Sequence, residues 1–245
     1  MKVACKTDIG KGKNNNQDNY RVGVWGKNFL WTIMCDGMGG NAGGEVASKI
    51  ACDITQTYFE NHYNCEFTSE EIFSFIRTVV DKINEAVYKK SLSDINLRGM
   101  GTTCVLMVIK NKKAYIAHVG DSRAYLTRNN ITTQLTKDHS KVQLLIDKGI
   151  ITKEQSYSHE DKNLITRAIG VHNEVLADYS VLDLNAKDNI LICTDGLSNY
   201  IQEEEISKLF ENTDFYAIPT LMINKVLQLN GSDNITVTLV GIGED

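Results

Sequence analysis

Residues 103–135 read TCVLMVIKNKKAYIAHVGDSRAYLTRNNITTQL, and this stretch decides the fold. Apolar, β-branched and aromatic side chains fill 103–109, 114–119, 124–126 and 131–135, and the turn formers Asn111-Lys112-Lys113 and Asn129-Asn130 interrupt them. Runs of this length and composition are strands. Parallel neighbours would need crossover connections of about a dozen residues or more, so links this short predict an antiparallel meander. Upstream, 20–25 and 29–35 read as two further strands joined across Gly26-Lys27-Asn28. Helical spacing of Val46, Ala47, Ile50, Ala51, Ile54, Tyr58 and Phe59 predicts a helix over 45–63, and the capping-box pattern Thr68-Ser69-Glu70-Glu71 opens a second that runs to Val87. Downstream, 140–166 is mixed and short-helical, 177–182 and 189–193 return to strand, 203–210 and 217–229 are helical, and 235–241 is a last strand. Strands in runs with helices in pairs predict an α+β fold, antiparallel sheet layered with helices.

Composition narrows the function classes. A chain of 245 residues, 42% hydrophobic and 23% charged, is expected to form one domain over 1–245. Its longest purely apolar stretch, 104–109, is far short of the ~20 residues of a membrane helix. The N-terminus shows no apolar signal region, which places the protein in the cytoplasm. Cys5, Cys35, Cys52, Cys65, Cys104 and Cys193 form no Cys-x-x-Cys pair and fit reduced core thiols. A net charge of −5 without a Lys/Arg block leaves no nucleic-acid footprint.

The informative feature is the position of the aspartates. The run 33–35 ends in Asp36-Gly37, 190–194 ends in Asp195-Gly196, 117–120 ends in Asp121, and Asp233-Asn234 opens the final strand. One such Asp is ordinarily a turn former or helix cap. Four gathered at strand ends repel unless cations neutralise them. Oxygen-only ligands select hard cations such as Mg²⁺ or Mn²⁺ over zinc. Two dications ~4 Å apart repel by roughly 16 kcal/mol at an effective dielectric near 20, so a pair needs several carboxylates and at least one bridge. Glycine after Asp36 leaves its carbonyl unobstructed as a further ligand. Such a pair lowers the pKa of a bridging water and clamps a phosphate under in-line attack, which points to phosphate-ester hydrolysis.

Competing motifs fail. Gly37-Met38-Gly39-Gly40-Asn41-Ala42 has the form of a dinucleotide fingerprint, but the helix after it leads to another helix instead of a parallel strand. A phosphate loop fails because Glu45 follows Gly44 where Lys is required. An EF-hand from Asn14 lacks its sixth-position Gly and twelfth-position Glu. Gly120-Asp121-Ser122-Arg123-Ala124 misses the last glycine of a nucleophile elbow.

With these residues assembled, the chain resembles the metal-dependent Ser/Thr protein phosphatases of the PPM (type 2C) family, in its short bacterial form. The matching segments run in order: Thr7-Asp8-x-Gly10 with Asn16-Gln17-Asp18, Asp36-Gly37-Met38-Gly39-Gly40, Gly101-Thr102-Thr103 and His118-Val119-Gly120-Asp121-Ser122-Arg123-Ala124-Tyr125. They continue through Leu135-Thr136-x-Asp138-His139, Thr166-Arg167-Ala168-Ile169-Gly170, Thr194-Asp195-Gly196-Leu197 and Asp233-Asn234-Ile235-Thr236. The resemblance implies a four-layer α-β-β-α sandwich and a binuclear Mn²⁺/Mg²⁺ centre, two ions per chain. It implies that Asp36 bridges both metals, the Gly37 carbonyl binds one, and Asp195 and Asp233 bind the other. Asp18 would hold metal-bound water, with a structural cap as its alternative, and Asp121 would help hold a third, weaker metal, with a turn role as its alternative.

The departures lie near the chemistry. The family's phosphate-binding Arg falls on Lys13, which keeps the charge and loses the planar fork; a solvated place in an Asn-rich loop is the other reading. Met38 stands where eukaryotic relatives carry a His proposed as general acid, Asn41 replaces a His, and Glu160 stands where a Pro commonly follows His159. His118 and His139 lie in matched segments and are expected to orient loops. Residues 140–166 match the family's flap, though Val142, Leu144, Leu145, Ile150 and Ile151 also suit a packed helix. The implied activity is hydrolysis of phosphoserine and phosphothreonine in proteins by a monomer that opposes a Ser/Thr kinase. A family member acting mainly on a different phosphorylated partner, such as an anti-sigma antagonist, would share all the metal residues. A catalytically dead binding module of the same fold predicts missing aspartates, and all four are present.

Overall fold

The computed structural model describes residues 1–243, without the side chains of residues 40–42 and 212. In chain order the elements are β1 (Lys2–Asp8), β2 (Asp18–Trp25), β3 (Phe29–Met38), α1 (Gly40–His62), α2 (Ser69–Ser93), a short 3₁₀ turn, and β4 (Gly101–Thr102). There follow β5 (Cys104–Lys110), β6 (Lys113–Val119), β7 (Arg123–Arg128), β8 (Ile131–Gln134), α3 (Lys141–Asp147), α4 (Lys153–Ser156) and β9 (Asp178–Asp183). The chain closes with β10 (Asn189–Cys193), α5 (Asp195–Ser198), α6 (Glu203–Asn212), α7 (Ile218–Gln228) and β11 (Ile235–Gly241).

One sheet has the order β1-β11-β10-β7-β8 and the other β2-β3-β5-β6-β9, with β4 pairing to the end of β3. Every pairing is antiparallel. Strand alternation builds the layers. On β3, Trp31, Ile33 and Cys35 point to α1 and α2, where Phe59, Ile76, Val80 and Ile83 are buried. Leu30 and Met34 point the other way, to Ile190, Ile192 and Val240 of the facing sheet. That sheet turns Leu191, Val237 and Leu239 outward onto Met222, Ile223 and Val226 of α7. Three apolar layers therefore separate four layers of structure, the α-β-β-α sandwich. Burying each such side chain contributes about 1.5–3 kcal/mol, and no single layer would hold the fold alone. The capping box of α2 forms as its sequence indicates, with Glu71 N–H on Thr68 Oγ1 at 3.3 Å and Thr68 N–H on Glu71 Oε2 at 2.7 Å.

Two expectations need correction. Residues 103–135 are not one meander but two hairpins in different sheets: β5 pairs with β6, β7 pairs with β8, and residues 120–122 cross between the sheets. The two hairpin turns have paired positive φ at Asn111 and Lys112 and at Asn129 and Asn130, as tight hairpins require. The crossing instead turns on Gly120, at φ +107°, where a Cβ would lie 2.6 Å from the Thr103 side chain. The second correction is β1, which the sequence reading left without structure. Val3, Ala4 and Cys5 give it no clear alternation, and its place comes from pairing with β11, Lys2 opposite Gly241 through Asp8 opposite Ile235.

Candidate metal centre

The register of β2 and β3 sets Asp18 directly opposite Asp36. The backbone of Asp36 is fully engaged: its N–H donates to Thr103 Oγ1 at 2.9 Å, and its carbonyl accepts from Thr103 N–H at 2.8 Å and Thr102 Oγ1 at 2.9 Å. Its carboxyl is thus carried on a fixed frame. Gly37 follows because the start of α1 crosses over it: a Cβ there would lie 2.1 Å from the Gly44 carbonyl oxygen and 2.7 Å from that of Gln17. No side chain fits between backbones this close.

The facing sheet supplies the rest. Asp195 opens α5 where β10 ends, and Asn199 Nδ2 donates to its Oδ2 at 3.2 Å. Asp233 lies just before β11; its Oδ1 accepts from Asn234 N–H at 2.9 Å and pairs with Lys13 Nζ at 2.7 Å. Asp121 stands on the crossing between β6 and β7. Lys13, Asp36, Gly37, Asp121, Asp195 and Asp233 line one cleft of about 260 Å³, and Met38, Asn163 and Ile165 complete part of its wall. Asp18 is buried behind it. Six of the seven site residues named from the sequence line this cleft, and the seventh, Asp18, stands opposite Asp36. A larger cleft of about 450 Å³ lies by Lys2, Asn189 and Phe215, but no carboxylate among the described residues lines it, so size does not mark the chemistry.

A supporting layer went unread in the sequence. Thr194 Oγ1 and Thr236 Oγ1 both donate to Asp18 Oδ2, at 2.9 and 2.7 Å. Asn234 Nδ2 donates to the carbonyls of Ile9 and Asn15, at 2.8 and 3.1 Å, and its Oδ1 accepts from Gln17 N–H at 2.8 Å, tying the Lys13 loop to β11. Each of these residues sits beside an acid in a motif already quoted, which was the available signal. His118 is buried with Nε2 3.0 Å from the Ser122 carbonyl, and burial pushes its pKa down to about 4. The side chain of Asn41 lies outside the described residues.

The electrostatics show a site with more negative charge than it tolerates. Burial first, then neighbouring carboxylates, pushes Asp36 and Asp121 well above the usual range, and Asp195 also rises. Burial raises Asp18 to about 7 against the pull of Thr236 and Thr194. Its Oδ1 is buried and finds no partner among the described residues. Oxygen donors only, carboxyls lifted by crowding and an orphaned buried oxygen fit hard divalent cations. As the side chains stand, no three His, Cys, Asp or Glu among the described residues group closely enough to hold a cation, and Asp233 is paired with Lys13.

Protons and cations relieve the same crowding, which fixes an expected melting behaviour. Asp18 is raised in the fold, so its contribution to stability is full below its unfolded pKa and is lost as pH rises through about 7. His118 is depressed, so its contribution is full above its unfolded pKa and is lost as pH falls towards about 4. Metal-free protein is therefore expected to melt higher at pH 6.5 than at pH 8. Saturating Mn²⁺ should raise the melting temperature more at pH 8, by ~5–10 °C if free Mn²⁺ is ~100 times its Kd. Identical melting with and without Mn²⁺ at both pH values would remove the cations from this cleft.

Comparison with known proteins agrees with this geometry. A family profile described as Protein phosphatase 2C matches residues 8–219. The serine/threonine phosphatase stp of Listeria monocytogenes is 35% identical over 241 residues, covering 98% of this chain and 95% of that protein. The crystal structure of the serine/threonine phosphatase Stp1 from Staphylococcus aureus superposes with TM-score 0.94 at 31% identity, over 100% of this chain and 96% of that one. The catalytic domain of the serine/threonine protein phosphatase PstP in complex with two manganese ions superposes with TM-score 0.86 at 30% identity, over 99% and 98% of the two chains. No helix among the described residues is long and apolar enough to cross a membrane. With the profile spanning residues 8–219 and relatives above 30% identity over nearly the whole chain, the chain belongs to the protein phosphatase 2C family.

Proposed function

We propose that this cleft hydrolyses phosphoserine and phosphothreonine in proteins with two bound Mn²⁺ or Mg²⁺. The observation that carries the reading is the meeting of Asp36, Asp195 and Asp233, from both sheets, around one cleft that also holds a lysine. Asp36, the Gly37 carbonyl, Asp195 and Asp233 would hold the two cations. Asp18, whose buried Oδ1 has no partner among the described residues, would hold water at the cations, and Asp121 would help hold a third, weaker ion. When bound, the cations supply the charge that lowers the pKa of the attacking water and offsets that of the phosphate. Met38 lines the cleft and has no proton to give, so the leaving oxygen takes its proton from water or another group.

Residues 1–245 act as one catalytic domain, supported by the shared cleft between its sheets. Residues 140–166 serve as a substrate-reading flap: Ser140 bridges to Ile165 at its neck, Val142 is buried, and Leu144 and Ile150 are exposed. The enzyme works as a cytoplasmic monomer on phosphoproteins, opposing a Ser/Thr kinase and acting on that kinase's substrates. Six unpaired cysteines support a reducing compartment. The deciding experiment is dephosphorylation of pSer, pThr and pTyr peptides with Mn²⁺ and after exhaustive EDTA. Mn²⁺-dependent release from pSer and pThr is expected; equal release after EDTA would sink the metal mechanism.

Lys13 is the substrate-phosphate ligand in this reading. Its Nζ is within the cleft on Asp233, and that carboxylate raises its pKa, so it carries its charge at neutral pH. Lys13→Ala is expected to lower kcat/KM by roughly 10- to 150-fold, the range of a charge-assisted hydrogen bond, and Lys13→Arg to retain or improve activity. An Ala variant within about twofold of the parent would take Lys13 out of the site.

A further inference from the structure

His139 joins more of the site's supporting frame than its place in a loop suggests. It is buried, and its backbone N–H donates to the Gly120 carbonyl at 2.8 Å while its carbonyl accepts from Thr166 N–H at 2.7 Å. Its ring closes a second bond to the same glycine, Gly120 N–H to Nδ1 at 3.1 Å. A backbone N–H only donates, so Nδ1 is the bare nitrogen and Nε2 carries the proton. Nε2 lies 3.2 Å from Asp178 Oδ2, the acceptor for that proton, and Asp178 Oδ1 accepts from Arg167 Nη1 at 2.9 Å.

The two bonds clasp Gly120, the residue on which the chain crosses between sheets one position before Asp121. Gly120 in turn abuts Thr103, whose Oγ1 accepts from Asp36 N–H at 2.9 Å and pairs with Ser122 Oγ at 2.7 Å. On its other side His139 immediately precedes Ser140, which bridges to Ile165, and Thr166 follows Ile165. One residue thus stands between both ends of the 140–166 segment, which its backbone holds, and the frame that carries Asp121 and Asp36, which its imidazole grips through Gly120.

We propose that His139 is a positioning residue that locks the Asp121 loop to the neck of the 140–166 segment through the Gly120 N–H to Nδ1 bond. The consequence for activity rests on Asp121 and Asp36 belonging to the catalytic cleft. The lock itself does not, and it is read first. Asparagine at 139 places its Oδ1 where Nδ1 lies and keeps the acceptor for Gly120, but it cannot reach Asp178. Alanine removes both.

The test compares His139→Ala and His139→Asn in the full chain, each first shown to melt cooperatively. Amide hydrogen exchange at Gly120 is expected to quicken about tenfold in His139→Ala and to stay near the parent rate in His139→Asn, with the β10 and β11 amides unchanged in both. With Mn²⁺ present, kcat on a phosphopeptide is expected to fall about tenfold in His139→Ala at nearly constant KM, and to recover within about threefold in His139→Asn. Unchanged exchange at Gly120 in His139→Ala, or equal exchange in the two variants, overturns the lock. Altered exchange with unchanged kcat overturns its role in positioning. A parent protein without phosphatase activity leaves the exchange result to decide the lock and overturns the functional reading instead.

Discussion

Asp36→Asn is expected to abolish phosphatase activity and to leave the metal-free fold at least as stable as the parent. The two halves of that result have separate causes. The backbone of Asp36 is held by Thr102 and Thr103 through bonds that do not involve its carboxyl, so the amide variant keeps the end of β3 in place. The carboxyl itself is pushed well up by burial and then by Asp18, Asp195, Asp121 and Asp233, so removing one negative charge lowers repulsion. Catalysis loses the bridging ligand of the proposed pair, a loss of several kcal/mol in transition-state charge stabilisation and so about 10³-fold or more in rate. Three measurements read it: turnover of a phosphopeptide with Mn²⁺, Mn²⁺ binding by calorimetry, and melting without metal. Normal turnover in Asp36→Asn would show the cations to be placed wrongly. A melting temperature well below the parent would show that Asp36 supports the fold through its charge.

What could be read beforehand was whatever the chain encodes locally. The strands 189–193 and 235–241 are legible with their observed bounds because apolar and β-branched residues fill them and turn residues flank them. Their ends carry Asp195 and Asp233, so the acids came with them. The start of α1 was harder. Its first turn is glycine-rich, which speaks against a helix, and those glycines are there because Gly44 and Gly37 bring two backbones together. The split of 103–135 into two hairpins was not legible either, since a link of a few residues suits a turn within a sheet as well as a crossing between sheets. What distinguishes them is Gly120 packed on Thr103, a contact across the fold. The supporting threonines carry a local signal in their nearness to Asp195 and Asp233, but their bonds are not legible, since Thr194 and Thr236 reach Asp18 from far along the chain.

Arg123 and Asp138 were likewise quoted within matched segments and given no task, yet they carry the largest expected effect on stability. Arg123 Nε lies 2.9 and 3.0 Å from the two carboxylate oxygens of Asp138 and Nη2 lies 2.7 Å from Oδ2, with Gln134 Nε2 adding a bond to Oδ1 at 2.9 Å. Their side chains are 17% and 9% exposed. Asp138→Ala would leave a guanidinium that cannot be deprotonated without its partner, at a cost of about 3–5 kcal/mol, or roughly 6–20 °C in melting temperature for a chain of this size. The double variant Arg123→Met, Asp138→Leu removes both charges and is expected to recover most of that loss, because a buried ion pair is seldom worth more than apolar packing of similar volume. If stability were the pair's only use, the double variant would also recover full activity. The pair borders Asp121 and Asp195 in a narrow recess beside the main cleft; the Arg123 charge acts to lower the pKa of Asp195, whereas at Asp121 the Asp138 charge raises it and Arg123 lowers it. The double variant is therefore expected to melt like the parent and to turn over phosphopeptide more slowly. An Asp138→Ala variant that melts like the parent would show that water reaches Arg123 and that the pair is not closed to solvent.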